Sequence, residues 1–361
     1  MTKDSPLISG CNMLEYVERN GSVIPRERRD GWMGEMTRPP EKSQAAAPPE
    51  RLILELANTC NLDCPMCRIG EFGVDSTRFM PRELFDRIAD ELFPMVRDVR
   101  LNGLGEATLV PWFEHCIQRV SDARLHGELI TNLTCSNETI YALLRARFVI
   151  MVSWDAATPR LFEVLRRPAL WAVQFPRLQQ LGQLASQLGL SDHIHLLFTL
   201  QRANIAELPG MIQLAADTGV PNVLVNVVKI ANEGWMDAVR PELLRAIESA
   251  RELANRLGII LTLPDHLGAW SVEGKYVLPT SARGCDRPSK EVVVRWNGDL
   301  SVCNMFNPYT YGHLGRHGFE RAWNGSLAQA FRRLVNSPMR HPYCEGCYYI
   351  HGVYEQAGRS R

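Results

Sequence analysis

From residue 51 to about residue 263, short strand-like runs alternate with longer segments of helical period, and no other feature narrows the fold so far. The strand-like runs are 52–56, 98–102, 128–131, 148–153, 193–200 and 222–228, with a further short one at 259–263. Between them, 81–96, 178–188, 206–218 and 241–257 have helical length and periodicity, and Pro81 and Pro241 suit the first turn of a helix. Repeated strand–helix units imply a parallel sheet of α/β class. Six such units are too few for the common eight-unit barrel. A hydrophobic fraction of 45% supports a sizeable core.

Chemistry in a parallel barrel gathers at the carboxyl ends of the strands. Directly after the first strand come Cys60-Asn61-Leu62-Asp63-Cys64-Pro65-Met66-Cys67. Three thiolates this close together can hold three corners of an iron–sulfur cluster. A four-iron cluster with three protein thiolates leaves one iron open, as a catalytic zinc keeps one open position. The second strand runs into Asn102-Gly103-Leu104-Gly105-Glu106, whose glycines let a backbone approach a ligand and whose carboxylate can accept from an ammonium group. The third strand ends at Thr131-Asn132 and the fourth at Ser153-Trp154-Asp155. Ser, Asp and Asn also favour helix starts, so capping stands beside ligand binding at these positions.

After about residue 270 the alternation stops. Cys285 precedes the apolar run 292–296, then Asn297-Gly298, then a second run ending at Cys303. Asn-Gly between apolar runs is a hairpin signal, and it sets Cys285 and Cys303 near one end of the hairpin. A helical stretch over 319–335 follows, then Cys344-Glu345-Gly346-Cys347. Four such cysteines suit either a fully ligated iron–sulfur cluster or tetrahedral zinc.

The triplet spacing resembles that of the radical S-adenosylmethionine (SAM) superfamily, and the C-terminal cysteines resemble its SPASM and twitch domains. The resemblance covers residues 51 to about 350. It implies a partial (β/α)6 TIM-like barrel over 51–270 and a small α+β twitch domain, a truncated SPASM, over 271–361. Residues 1–50, ending in a Pro- and Ala-rich stretch, read as an extension and linker. By resemblance, Cys60, Cys64 and Cys67 hold the [4Fe–4S] cluster that binds SAM, and Cys285, Cys303, Cys344 and Cys347 hold one auxiliary [4Fe–4S] cluster. The loop Gly103, Gly105 and Glu106 resembles the Gly-Gly-Glu motif that holds the SAM amino group, departing from it by Leu104. Asn132 resembles a position near the SAM carboxylate or substrate. Ser153 and Asp155 resemble residues beside the ribose, and Met66 one near the adenine, where packing is the competing reading.

The same family implies reductive cleavage of SAM to a 5′-deoxyadenosyl radical, fed by an external one-electron donor of flavodoxin or ferredoxin type. The spacing of the C-terminal cysteines is close to that of twitch-containing sugar and aminocyclitol dehydrogenases, such as the one acting on 2-deoxy-scyllo-inosamine. It implies a small polar substrate (a sugar, aminoglycoside or nucleoside) in natural-product biosynthesis, its alcohol oxidised to a ketone. Radical epimerases, decarboxylases or dehydratases of similar substrates, peptide-modifying SPASM enzymes and a zinc-stapled scaffold without activity are the alternatives. Cys135 is the candidate hydrogen donor of an epimerase; Cys116 fits a buried apolar role. His193, His195, Lys229, Glu233 and Trp235 lie near strand ends or the following loops as substrate-contact candidates.

Forty basic and forty acidic residues give a formal net charge of zero, which argues against a nucleic-acid surface working by charge alone. No apolar run has the length of a membrane span, and the first residues lack a signal-type apolar segment. The expectation is a cytoplasmic protein whose clustered cysteines are metal ligands rather than disulfides.

Overall fold

The computed structural model describes residues 46–67, 78–228, 238–264, 284–304, 310–340 and 344. In chain order these begin with strand β1 (Arg51–Leu54), helix α1 (Arg82–Leu92), β2 (Asp98–Arg100), α2 (Phe113–Asp122), β3 (His126–Thr131), α3 (Asn137–Arg145) and β4 (Val149–Ser153). Next come α4 (Pro159–Leu165), α5 (Trp171–Gln187), β5 (Ile194–Leu200), α6 (Leu208–Thr218), β6 (Asn222–Val227), α7 (Arg240–Leu257) and β7 (Ile260–Thr262). The C-terminal part holds α8 (Arg287–Lys290), β8 (Glu291–Val294), β9 (Asp299–Ser301), β10 (Thr310–His313), α9 (Leu314–His317), α10 (Phe319–Trp323) and α11 (Ser326–Leu334).

Strands β1 to β7 form a parallel sheet in sequence order, as the alternation of short strands and helices requires. Each of the seven strand-like runs becomes a strand. The α/β class and partial-barrel layout expected from the sequence are therefore what the chain adopts. Two helices differ in extent. Helix α5 begins at Trp171, well before the expected 178, and carries Pro176 in its interior. The stretch read as one helix over 319–335 is broken by Asn324-Gly325 into α10 and α11.

The C-terminal region does not stand apart from the barrel. Strand β8 pairs in parallel with β1, register Arg51 to Glu291 through Leu54 to Val294, so the described strands form one sheet ordered β10-β9-β8-β1-β2-β3-β4-β5-β6-β7. The β8–β9 hairpin turns at Gly298, whose φ of +92° lies where side chains are strained. The end of the expected linker is also fastened: the Trp323 indole donates to the Ala47 carbonyl at 3.0 Å, and Ala46 N–H donates to Asn324 Oδ1 at 2.7 Å.

The helix-covered face of the sheet is apolar, with Leu52, Leu54, Val99, Leu129, Val152 and Phe198 all fully buried. The register sets Ile53, Arg100, Glu128 and Val149 side by side on the opposite face. There Arg100 bonds Glu128 at 2.6 Å and Arg51 reaches Glu128 at 3.3 Å and Glu291 at 3.9 Å. Burial alone pushes the Glu128 carboxyl up, but Arg100 and Arg51 outweigh it and hold it below the usual range.

Gly182 in α5 lies against the carbonyl of Thr218 at the end of α6, and a Cβ there would run into that oxygen. Gly182→Ala is expected to destabilise the protein by about 1–3 kcal/mol through overpacking, read as a lower urea midpoint at unchanged slope.

Candidate active site

The cysteine loop leaves β1 at the carboxyl end of the barrel and is held from three sides. Behind it, Gly105 N–H donates to the Ala57 carbonyl at 3.1 Å and Glu106 N–H to the Thr59 carbonyl at 2.9 Å. The two backbones run so close that a Cβ on Gly105 would strike the carbonyls of Ala57 and Thr59. This is a cradle in which only glycine fits.

From β3, Asn132 reaches across. Its Nδ2 donates to Cys60 Sγ at 3.6 Å and to Asn61 Oδ1 at 3.0 Å, while its Oδ1 accepts from Thr134 Oγ1 at 2.7 Å. Leu133 follows with φ +61°, a conformation that costs a leucine and turns the chain tightly after Asn132. Asn61 Nδ2 in turn donates to Thr134 Oγ1 at 2.9 Å.

The third hold comes from the segment after α4. Arg166 lays one guanidinium nitrogen 3.8 Å from Cys64 Sγ and the other 2.7 Å from Asp155 Oδ2. Next to it, Arg167 Nε donates to the Asp63 carbonyl at 2.8 Å, and Asp63 N–H donates to the Arg167 carbonyl at 2.7 Å. Asp155 is fully buried, and its Oδ1 accepts from Thr199 N–H at 2.6 Å.

Two carboxylates from the sequence reading are therefore already engaged. Asp155 anchors Arg166 and accepts from Thr199 N–H. Glu106 is 3% exposed, and its oxygens accept from Thr108 Oγ1 at 2.7 Å, Thr131 Oγ1 at 2.9 Å and Asn132 N–H at 2.8 Å. It ties β2 to β3 beside the cysteine loop. Ser153 and Met66 are half-buried, as are Gly103 and Gly105. Cys135 is 7% exposed within the apolar core, and Cys116 is fully buried there. His195 sits toward the amino end of β5, away from the cysteine loop. Lys229, Glu233 and Trp235 lie outside the described residues.

Among the C-terminal cysteines, Cys285 is framed by Asn336, whose Oδ1 accepts from Cys285 N–H at 2.6 Å and whose Nδ2 donates to the Cys285 carbonyl at 3.1 Å. Cys303 follows β9, and Ser301 Oγ donates to its carbonyl at 3.4 Å. Cys285, Cys303 and Cys344 are half-buried against the core; Cys347 lies outside the described residues. Since β9 runs antiparallel to β8, and β8 parallel to β1, Cys303 leaves toward the amino end of β1. Cys60 lies beyond the opposite end. Buried Glu55, on the β1–β8 seam between the two sets, accepts from Leu104 N–H at 3.3 Å. Just after β8, Arg295 donates to Ser301 Oγ at 3.3 Å.

The donor chemistry fits iron–sulfur clusters. Cys60 and Cys64 are half-buried and Cys67 exposed on one short loop, which turns where Cys67 N–H donates to the Cys64 carbonyl at 2.9 Å. Among the described residues, no three His, Cys, Asp or Glu side chains are gathered for a single metal ion. A cubane spreads its thiolates over separate irons and needs no such tight cage. Arg166, Arg167, Asn61, Thr134 and Glu55 were not singled out in the sequence: each acts on a residue 49 to 104 positions away, and only Glu55, a carboxylate inside an apolar run, carried a signal.

The SPASM iron–sulfur cluster-binding domain matches residues 285–348. The fold is that of radical SAM enzymes with a SPASM domain. The structure resembles Streptococcus suis SuiB bound to S-adenosylmethionine (TM-score 0.61, 14% identity, 89% of this chain and 77% of that one). It also resembles anSMEcpe with bound AdoMet (TM-score 0.62, 13% identity, 80% of this chain and 81% of that one). In sequence it is similar to a tungsten-containing aldehyde ferredoxin oxidoreductase cofactor-modifying protein of Pyrococcus furiosus, 23% identical over 321 residues, 82% of this chain and 86% of that protein. The SPASM match points to iron–sulfur cluster binding by residues 285–348. No helix among the described residues is long and apolar enough to cross a membrane.

Burial pushes the Cys60 thiol up to about 11 and the Cys135 thiol up to about 12 in the cluster-free chain. In the unfolded chain these thiols ionise near 8.5. Their contribution is fully present below that value and is lost as pH rises through the folded values, because the unfolded state then binds fewer protons. The urea midpoint of cluster-free protein is expected to fall between pH 9 and 11, and less steeply in Cys135→Ala.

Proposed function

We propose that this chain is a radical SAM enzyme acting on a small polar substrate of sugar, aminoglycoside or nucleoside type, and that it oxidises an alcohol carbon to a ketone. The observation that carries the reading is the cysteine loop itself: three thiols at the carboxyl end of β1, fastened by Asn132 and Arg166. Cys60, Cys64 and Cys67 would hold the cluster, and the backbone around Gly103 and Gly105 would pass close to SAM. Bound there, cluster and SAM supply a carbon radical able to take hydrogen from an unactivated C–H bond. Cys285, Cys303, Cys344 and Cys347 would hold the auxiliary cluster, which takes up the second electron. Half-exposed Ser153, at the carboxyl end of β4, is the proposed ribose contact, since Asp155 is occupied by Arg166.

A second reading, peptide modification, draws support from relatives of the same fold: one SuiB structure is bound to its precursor peptide SuiA. Product mass separates the two. After anaerobic reconstitution, the protein is expected to hold about eight irons per chain, given two cubanes. Cys60→Ala, Cys64→Ala and Cys67→Ala should abolish SAM cleavage. Cys285→Ala and Cys303→Ala should lose about half the iron and stop turnover while SAM cleavage persists. A candidate sugar should lose two mass units. Zinc without iron would sink the enzyme reading, and a modified peptide with no modified sugar would establish the second one.

A further inference from the structure

The contact between Arg166 and Cys64 asks for a reason, because arginine is normally kept in water. The Arg166 side chain is 11% exposed. Asp155, with no exposure at all, holds one guanidinium nitrogen at 2.7 Å, and Thr199 N–H fixes the carboxylate in turn at 2.6 Å. The other nitrogen is thereby aimed at Cys64 Sγ, 3.8 Å away. The planar fork of arginine can serve two acceptors at once, which the point charge of a lysine does less well. Holding the loop does not rest on this contact alone, since Arg167 grips Asp63 through its carbonyl at 2.8 Å and its carboxylate at 2.9 Å.

We propose that Arg166 is a positioning residue that donates a fixed N–H to the Cys64 sulfur and thereby makes the first cluster easier to reduce. Each electron added to a cluster raises the negative charge on its sulfurs. A guanidinium held beside one of them stabilises the reduced form more than the oxidised form. Hydrogen bonds to the sulfurs and local charge are the means by which proteins set such potentials. Asn132 Nδ2 at 3.6 Å and Leu62 N–H at 3.4 Å from Cys60 Sγ act in the same direction, but carry no net charge. The inference rests on the radical SAM reading, and covers the half of it that precedes any substrate.

The test is a redox titration of the full reconstituted chain followed by electron paramagnetic resonance. The signal that changes on adding SAM belongs to the first cluster. Wild-type protein without iron would refute the radical SAM reading itself. With iron loaded, Arg166→Gln is expected to keep its iron content but to lower the midpoint of the SAM-sensitive signal, leaving the other signal unmoved. Arg166→Lys should fall between the two. Arg166→Gln at the wild-type midpoint overturns the proposal. If Arg166→Gln does not load the first cluster, Arg166→Lys decides: a lowered midpoint supports the proposal, and a wild-type midpoint overturns it. Loss of that cluster from both variants, at unchanged circular dichroism, reduces Arg166 to a structural clamp and equally overturns it.

Discussion

Strand β1 is paired along both edges, with β2 on one side and β8 on the other. Much else depends on that double pairing. It buries Leu52, Ile53 and Leu54 completely and fixes the direction in which the cysteine loop leaves the sheet. It also makes the C-terminal region a continuation of the barrel wall. Parallel strands buried on both faces read as near-continuous apolar runs, which is what this segment is. The single break in the run is Glu55, and it lies where the two cysteine-bearing regions meet.

Charge is placed sparingly but deep around the loop. Glu55, Glu106 and Asp155 are each at most 5% exposed, and burial pushes each carboxyl above its usual range. Such groups are tolerated only when donors surround them. Glu106 has Thr108, Thr131 and Asn132; Asp155 has Arg166 and Thr199. Because these donors come from the ends of β3 and β5 and from the segments after β2 and α4, satisfying these carboxylates also fixes the relative position of those parts. The polar groups that look like ligand contacts in the sequence thus serve first to build the surface on which the cysteines sit.

What the sequence disclosed divides along the range of the interactions. Strand and helix patterning is local, and every strand-like run was found in place. The cysteine spacing is local too, and so is the Asn297-Gly298 turn, which forms the β8–β9 hairpin. Helix α5 starts at Trp171, before the expected 178, and accommodates Pro176 in its interior. The pairing of β8 with β1, about 240 residues apart on a chain that closes a long loop to make it, left no periodic mark. Asp155 was noticed for its residue type, but its partner Arg166 could not be matched to Cys64 from sequence, because nothing in the run Leu165-Arg166-Arg167-Pro168 distinguishes a buried arginine from a solvated one.

The holds on the cysteine loop also impose an order on how the molecule is made. Cys60 meets Asn132 across 72 residues and Cys64 meets Arg166 across 102. On a ribosome the three cysteines emerge before those partners, attached to a single strand with no sheet to join. The side chains that shape their loop arrive only after β3, β4 and α4 have been synthesised, and the strand's other neighbour, β8, comes later still. The thiols thus precede the groups that set them in place. Iron delivered to the nascent segment would meet an unshaped loop. Iron delivered after the wall around β1 has closed would meet a prepared one.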